Sequence, residues 1–162
     1  MFRHERPVRF QDVDAARIVF FAHYLTYCHE AMEAFFGAVQ GGYDRIILKR
    51  GIGFPAVRVE IDYAAPLRYG DLVVIELDVL HVGGSSCTFR YHLRRGDGPL
   101  VATVKHVCVC CDLGGPTKVR LPDDVRAHLH AHLLDEANQG DQALLTTAPE
   151  ATSSPSRSKK GS

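Results

Sequence analysis

The sequence predicts an α+β fold in which one long amphipathic helix packs against an antiparallel sheet. Two observations support this prediction. One segment with helical periodicity lies near the N-terminus, and four strand-like segments follow it before residue 112. A helix stripe and a sheet face bury each other in such a two-layer arrangement. The 162 residues, 46% of them hydrophobic, suffice for one core.

The first predicted elements are a short strand at residues 8–10 and a helix at residues 24–36. The helix prediction rests on apolar side chains spaced i, i+3, i+4 and i+7. These side chains are Tyr24, Leu25, Cys28, Ala31, Met32, Phe35 and Phe36. A short second helix is predicted for residues 43–50, between glycine-containing turns.

Four strands are then predicted from period-2 alternation or from runs rich in Val, Ile and Leu. They cover residues 57–63, 72–82, 87–93 and 100–111. Glycine-rich segments at residues 83–84 and 96–98 predict hairpin turns between the last three. One helix is too narrow to cover five strands, so an exposed sheet edge or apolar helix face predicts self-association.

Residues 122–133 predict a final helix with Pro122 at its first helical position. Its histidines lie at every second residue, so they do not share one helical face, and we interpret them as solvated or directed at the negative end of the helix dipole rather than as ligands. They are His128, His130 and His132. The chain is thus expected to form one domain over residues 1–135. A disordered tail is expected over residues 136–162, where Gln, Thr, Ser, Pro and Lys dominate.

Composition argues against several classes of protein. Nineteen basic and nineteen acidic residues cancel, whereas nucleic-acid binders usually carry a basic excess. No apolar run approaches the roughly 20 residues of a membrane helix, and no secretion-signal pattern opens the chain. We therefore expect no nucleic-acid partner, no membrane partner and a cytoplasmic location. The five cysteines are then expected to be reduced thiols.

The sequence CVCC at residues 108–111, with His106 nearby, invites interpretation as a metal site. The usual zinc pattern of two spaced ligand pairs is missing, however. Free cysteine is commonly buried as a small hydrophobic residue. We therefore interpret these residues as part of a buried strand and expect no metal.

The segment with the clearest chemical content is FQDVDAARIVFFAHY, residues 10–24. It places Asp12 and Asp14 in a loop ahead of the long helix. An ionised carboxylate at this place can act as nucleophile or general base in acyl transfer. A short acidic side chain there can equally cap the helix or form an Asx turn.

This segment resembles the motif F-x-D-x-D-x-x-G-x-V-[FY]-[FY]-x-N-Y of the hotdog-fold 4-hydroxybenzoyl-CoA thioesterase family. The resemblance covers about residues 5–112, and the predicted element order is also that of the hotdog fold. It implies a five-stranded antiparallel sheet wrapped around one long helix, plus the C-terminal helix. It also implies hydrolysis of an acyl-CoA thioester, with CoA as part of the substrate and no cofactor. Sites in this family form between subunits, which implies a homodimer or homotetramer.

The resemblance assigns roles to individual residues. Asp14 would be the catalytic carboxylate, acting on the thioester carbonyl or as general base for water. The backbone N–H of Phe21 would stabilise the oxyanion at the start of the helix. Phe20 and Tyr24 would contact and shield the substrate, and Asp12 is expected to brace the loop.

Two positions depart from the family pattern. Arg17 stands where the family usually has Gly, and it either narrows the site or reaches towards CoA phosphates. His23 stands where Asn is common, and it either contacts substrate or bonds to the helix backbone. The sequence GGSS at residues 83–86 lacks the basic side chains with which some members contact the CoA nucleotide.

YCHEAME at residues 27–33 and KHVCV at residues 105–109 are similar to a subgroup that hydrolyses 1,4-dihydroxy-2-naphthoyl-CoA in naphthoquinone, including menaquinone, biosynthesis. An aromatic acyl group, such as this one or 4-hydroxybenzoyl, suits the aromatic residues near the site. Hydrolysis of aliphatic or carrier-protein-bound acyl thioesters is an alternative. A hotdog hydratase or dehydratase using His23, or His29 with Glu30, is another. A non-catalytic acyl-CoA-binding module, disabled by Arg17, is the third.

Overall fold

The computed structural model describes residues 1–134. The predicted tail at residues 136–162 lies outside the described residues. The strands are β1 (Phe2–Pro7), β2 (Ile52–Gly53), β3 (Ala56–Tyr63), β4 (Leu72–Val82), β5 (Ser86–Arg95), β6 (Leu100–Val109), β7 (Cys111–Asp112) and β8 (Thr117–Lys118). The helices are α1 (His23–Phe36), α2 (Gly42–Asp44) and α3 (Asp123–Ala131), with a 3₁₀ turn at Phe10–Asp12 and a π-helical turn at Arg45–Lys49.

Five strands form one antiparallel sheet in the order β1-β4-β5-β6-β3. Helix α1 packs against this sheet, and its buried side chains join those of β4, β5 and β6 in one core. Strands β2, β7 and β8 form a separate three-stranded sheet. The predicted α+β architecture of one long helix on a five-stranded sheet, with a C-terminal helix, is thereby confirmed.

The buried face of α1 differs from the predicted stripe at two positions. Leu25 is 40% exposed, whereas Tyr27, which the stripe omits, is fully buried. A guanidinium, that of Arg6, lies over the Tyr27 ring at 4.2 Å from its centroid. This cation–π contact gives the buried aromatic ring of Tyr27 a charged partner inside the protein.

The predicted N-terminal strand at residues 8–10 is wrong. Strand β1 lies earlier and pairs with β4, from Phe2 opposite Leu77 to Pro7 opposite Leu72. It is an edge strand whose polar side chains largely face solvent. Its backbone pairing with β4 supplies its stability, so no apolar run in the sequence marks it.

Two further boundaries differ from the predictions, and the structure adds one strand pairing that was not predicted. Strand β6 ends at Val109, and Cys111 belongs to the small sheet, where it pairs with Gly53. Strand β3 pairs with β6 rather than with its successor β4. Pro122 is the N-cap of α3 instead of its first helical residue. Long-range pairing, which local patterns do not encode, determines the end of β6 and the partner of β3.

All five cysteines are buried and free. Within residues 1–134, no group of three or more His, Cys, Asp or Glu side chains is arranged to hold a metal ion. No helix in the same part of the chain is long and apolar enough to cross a membrane.

Candidate active site

The loop before α1 is a tight hairpin closed by backbone hydrogen bonds. Val13 and Val19 form an isolated antiparallel bridge. Asp14 N donates to Ile18 O at 2.9 Å, and Arg17 N donates to Asp14 O at 2.9 Å. Arg17 is left-handed, with φ of 62°, a conformation that glycine adopts without strain. This left-handed backbone explains why glycine is the usual residue of the motif at this position, where this chain has Arg17.

Asp14 lies exposed in this hairpin. Its Oδ1 accepts the N–H of Ala16 at 2.8 Å, which is an Asx turn. Its Oδ2 has no hydrogen-bond partner within residues 1–134. The turn and the chemical role predicted for Asp14 are therefore compatible, because one oxygen orients the side chain and the other stays available.

Asp12 occupies a contrasting environment. It is 3% exposed, and its Oδ2 accepts both Arg6 Nη2 at 2.7 Å and Arg9 N at 2.8 Å. Arg6 Nη1 also donates to Glu30 Oε1 at 2.7 Å, so the guanidinium joins this loop to helix α1. Asp12 thus braces the loop, and Arg6 links it to helix α1.

The start of α1 presents a free backbone donor. Phe20 N donates to Asp12 O, and His23 N donates to Phe20 O, both at 2.9 Å. The carbonyl of Phe21 accepts the hydroxyl of Tyr63 at 2.9 Å. The N–H of Phe21 has no acceptor among the described residues. Unpaired N–H groups at a helix start favour negative charge, as an oxyanion donor requires.

A pocket of about 470 Å³ contains both groups. Its lining is mostly apolar and aromatic, with Asp14 as the only acidic residue among its described lining residues. The lining residues are Asp14, Ile18, Val19, Phe20, Phe21, Tyr24, Tyr63, Ala64, Ala65 and Pro66. Apolar walls around a few polar groups are typical of small-molecule sites.

Two tyrosines form one wall of this pocket. The rings of Tyr24 and Tyr63 pack edge to face, with centroids 5.1 Å apart. Tyr24 is buried, and its hydroxyl oxygen accepts Leu67 N at 3.2 Å. Burial raises the pKa of both hydroxyls above the ordinary value of 10.0. Both tyrosines therefore remain neutral donors near pH 7.

The lining of this pocket does not include two of the predicted substrate contacts. Arg17 and His23 are not among the residues that line the pocket. His23 is half-buried, with its ring centroid 6.0 Å from that of Phe20. Sequence reasoning missed Tyr63 and residues 64–66, which follow β3. The available signal was an aromatic residue closing a strand pattern just before Pro66.

The acid and histidine pairs considered for a hydratase lie away from this pocket. His29 Nε2 lies 3.3 Å from Glu33 Oε1, and both line a second depression of about 600 Å³ with Tyr43 and Leu48. Glu30 accepts from Arg6 instead of facing His29. No carboxylate is within salt-bridge reach of His23 among residues 1–134.

The pocket thus combines one carboxylate, one free backbone N–H and aromatic walls. The carboxylate can attack a carbonyl carbon or activate water, and the N–H can stabilise the negative charge that develops on the carbonyl oxygen. These are the parts that acyl transfer requires.

Comparison with known proteins gives the same assignment. A 1,4-dihydroxy-2-naphthoyl-CoA hydrolase of Nostoc punctiforme is 31% identical over 135 residues, covering 83% of this chain and 90% of the relative. The acyl-CoA thioesterase YbgC of Haemophilus influenzae is 31% identical, covering 76% and 92%. The crystal structure of a 1,4-dihydroxy-2-naphthoyl-CoA thioesterase from Synechocystis superposes with a TM-score of 0.73 at 27% identity, covering 80% and 95%. Residues 8–129 match the thioesterase-like superfamily, and the chain therefore belongs to this superfamily as a hotdog-fold thioesterase.

Proposed function

We propose that this thioesterase hydrolyses an aromatic acyl-CoA, such as 1,4-dihydroxy-2-naphthoyl-CoA or 4-hydroxybenzoyl-CoA, to the free acid and CoA. The observation that carries the proposal is the aromatic-walled pocket that contains Asp14 and the Phe21 N–H. The names of the Nostoc and Synechocystis relatives support an aromatic acyl group. With a dihydroxynaphthoyl group, the reaction would serve naphthoquinone, including menaquinone, biosynthesis.

Asp14 would begin the reaction in one of two ways. As nucleophile, a carboxylate oxygen bonds to the carbonyl carbon, CoA leaves as thiolate, and water hydrolyses the mixed anhydride. As general base, Asp14 takes a proton from water, whose oxygen bonds to the same carbon. The C–S bond then breaks, CoA leaves as thiolate, and the proton held by Asp14 passes to that thiolate or to solvent. In either case the Phe21 N–H would donate to the carbonyl oxygen as it gains charge. Phe20 and Tyr24 would hold the aromatic ring and exclude water.

The protein would act as a homodimer or homotetramer in the cytoplasm. Strand β3 is an edge of the main sheet, and nearly all of its residues are exposed. Such an edge pairs readily with another chain. Five free cysteines support a reducing compartment.

The direct test replaces Asp14 by Asn and measures thiol release from aryl-CoA thioesters. Asparagine keeps the Oδ1 contact to Ala16 but cannot act as nucleophile or base. We expect kcat to fall by at least about 100-fold with an unchanged melting temperature. Asp123→Asn, at the exposed start of α3, is the matched control and should retain full turnover. Unchanged turnover of the Asp14 variant would contradict the proposal.

A substrate panel tests the acyl group separately. Benzoyl-, 4-hydroxybenzoyl- and 1,4-dihydroxy-2-naphthoyl-CoA are compared with aliphatic acyl-CoA and acyl-carrier-protein thioesters by kcat/KM. We expect the aromatic substrates to lead by at least about tenfold. A lead for aliphatic or carrier-bound substrates would replace the aromatic assignment with that alternative. An enoyl-CoA is assayed alongside these substrates, and a loss of its absorbance without thiol release would indicate a hydratase.

A further inference from the structure

One contact at the pocket joins the sheet edge to the backbone at the start of α1. Tyr63, the last residue of β3, donates its hydroxyl to Phe21 O at 2.9 Å. The ring of Tyr63 also packs edge to face against that of Tyr24. No other hydrogen bond between β3 and residues 20–22 occurs in the described part of the chain.

The backbone around the Phe21 N–H is held on both sides. The peptide group that carries this N–H also carries the Phe20 carbonyl, which accepts His23 N at 2.9 Å. The preceding peptide group is held by Phe20 N donating to Asp12 O at 2.9 Å. The following peptide group, with the Phe21 carbonyl, is held only by Tyr63 among residues 1–134. Without the hydroxyl, this last group could rotate and the N–H could shift with it.

The Phe21 N–H requires this restraint if it is to serve as an oxyanion donor. Phe21 precedes the helix, so the helical hydrogen-bond ladder does not yet fix its carbonyl. An oxyanion donor stabilises a transition state only when it is already aimed at the place where charge develops. A displacement of a fraction of an ångström weakens a hydrogen bond, so a second anchor on Phe21 has a direct effect on the donor.

We propose that Tyr63 is a positioning residue, whose hydroxyl holds the Phe21 carbonyl and thereby aims the Phe21 N–H at the thioester oxygen. This inference rests on the proposed function, in which the Phe21 N–H stabilises the oxyanion. It adds to that function a side chain from a distant strand. Tyr63 acts through the backbone, while the N–H itself touches the substrate.

The test uses the full chain with Tyr63→Phe, which removes the hydroxyl and keeps the ring packed on Tyr24. We expect kcat for 4-hydroxybenzoyl-CoA to fall about tenfold, with KM within about twofold of wild type, because the lost interaction acts in the transition state. The melting temperature and the oligomeric mass should stay unchanged. Tyr69→Phe is the matched control, since Tyr69 is exposed and packs on Phe10 away from the pocket. It should leave both constants unchanged.

A second measurement tests the Phe21 N–H as a hydrogen-bond donor in the absence of turnover. Phenacyl-CoA, in which a methylene separates the sulfur from a ketone, cannot be hydrolysed. Its ¹³C-labelled ketone should absorb at lower infrared frequency when bound to the wild type, because the Phe21 N–H polarises it. We expect a smaller shift in Tyr63→Phe. Incorporation of 3-fluorotyrosine at position 63 keeps ring and donor, and should restore both kcat and the frequency shift.

The outcomes separate this inference from the proposed function. If the wild type hydrolyses aryl-CoA and Asp14→Asn abolishes it, while Tyr63→Phe changes neither kcat nor the ketone frequency, only the role of Tyr63 is overturned. A rise in KM with unchanged kcat also overturns it, since Tyr63 would then contact the substrate directly. Absence of thiol release from every thioester by the wild type would instead overturn the proposed function.

Discussion

Two acids in one short loop differ in almost every physical respect. Asp12 is buried and accepts from the Arg6 guanidinium and from the backbone N–H of Arg9, so it is paired within the protein. Asp14 is exposed, and one of its oxygens has no partner within residues 1–134. A carboxylate committed to a buried ion pair is a poor nucleophile or base, whereas Asp14 is available for both roles. Burial and pairing therefore separate the residues more sharply than their spacing in the motif does.

Arg17 provides a prediction at the same scale. A non-glycine residue with φ of 62° is strained, by about 1–2 kcal/mol. Glycine loses about 0.5–1 kcal/mol more entropy on folding, which offsets part of this gain. We expect Arg17→Gly to raise the free energy of unfolding by up to about 1 kcal/mol, measured by urea denaturation.

The matched control is Ala16→Gly, one residue earlier in the hairpin. Ala16 does not have a positive φ, so glycine there should lower the free energy of unfolding. Equal effects of the two substitutions would show that the left-handed conformation of Arg17 carries no strain. If Arg17 disables the site, Arg17→Gly should also raise kcat.

At the scale of elements, the end of α1 packs against α3 through His128. The ring centroids of His128 and Phe35 are 4.3 Å apart, and His128 Nε2 donates to Phe35 O at 2.9 Å. His128 is thus half-buried in a packing contact and not solvated, which corrects the first of the two interpretations given for it. The alternating histidines do not show in the sequence which of them faces α1, because tertiary packing decides that.

This packing predicts a pH dependence of stability. Burial lowers the pKa of His128 below its ordinary value of 6.5. Above that value His128 is neutral in both states and contributes no pH dependence. As the pH falls, the unfolded chain takes up the proton first, so the free energy of unfolding decreases until the folded pKa is passed.

His128→Phe removes this titration and keeps an aromatic ring beside Phe35. We expect it to lose less stability than the wild type between about pH 7.5 and about pH 5.5, measured by urea denaturation. The exposed His130 gives the control, and His130→Gln should reproduce the wild-type loss. A loss in His128→Phe as large as in the wild type would refute a contribution from His128. Burial also lowers the pKa of His92, so part of the dependence should persist in both variants.

At the scale of the whole molecule, the main sheet ends at the edge strand β3, which exposes apolar side chains. Val57, Val59 and Tyr63 on this strand are 60%, 39% and 47% exposed. The pocket lies at the same side, because Tyr63 is both the end of β3 and a pocket wall. A second copy of the chain that pairs here would cover the apolar side chains and approach the site.

Val59→Lys tests this assembly. A charged side chain in a covered apolar strip is desolvated without a partner, so we expect the dissociation constant of the assembly to rise at least about tenfold. Light scattering over a concentration series measures it, and kcat should fall as the assembly dissociates. Leu72→Lys, exposed on β4 beside the opposite edge strand, should change neither. An unchanged mass in Val59→Lys would show that β3 is not the interface.

The sequence by itself determined the long helix, the strands β3 to β6 and the loop with Asp14, because local periodicity and a fixed motif encode them. It also indicated the family, which the comparisons confirm. The tertiary structure alone placed β1 on the sheet edge, paired β3 with β6, and brought Tyr63 to Phe21 across 42 residues of chain. Backbone pairing and burial act between residues far apart in sequence, and no local pattern records which partners meet.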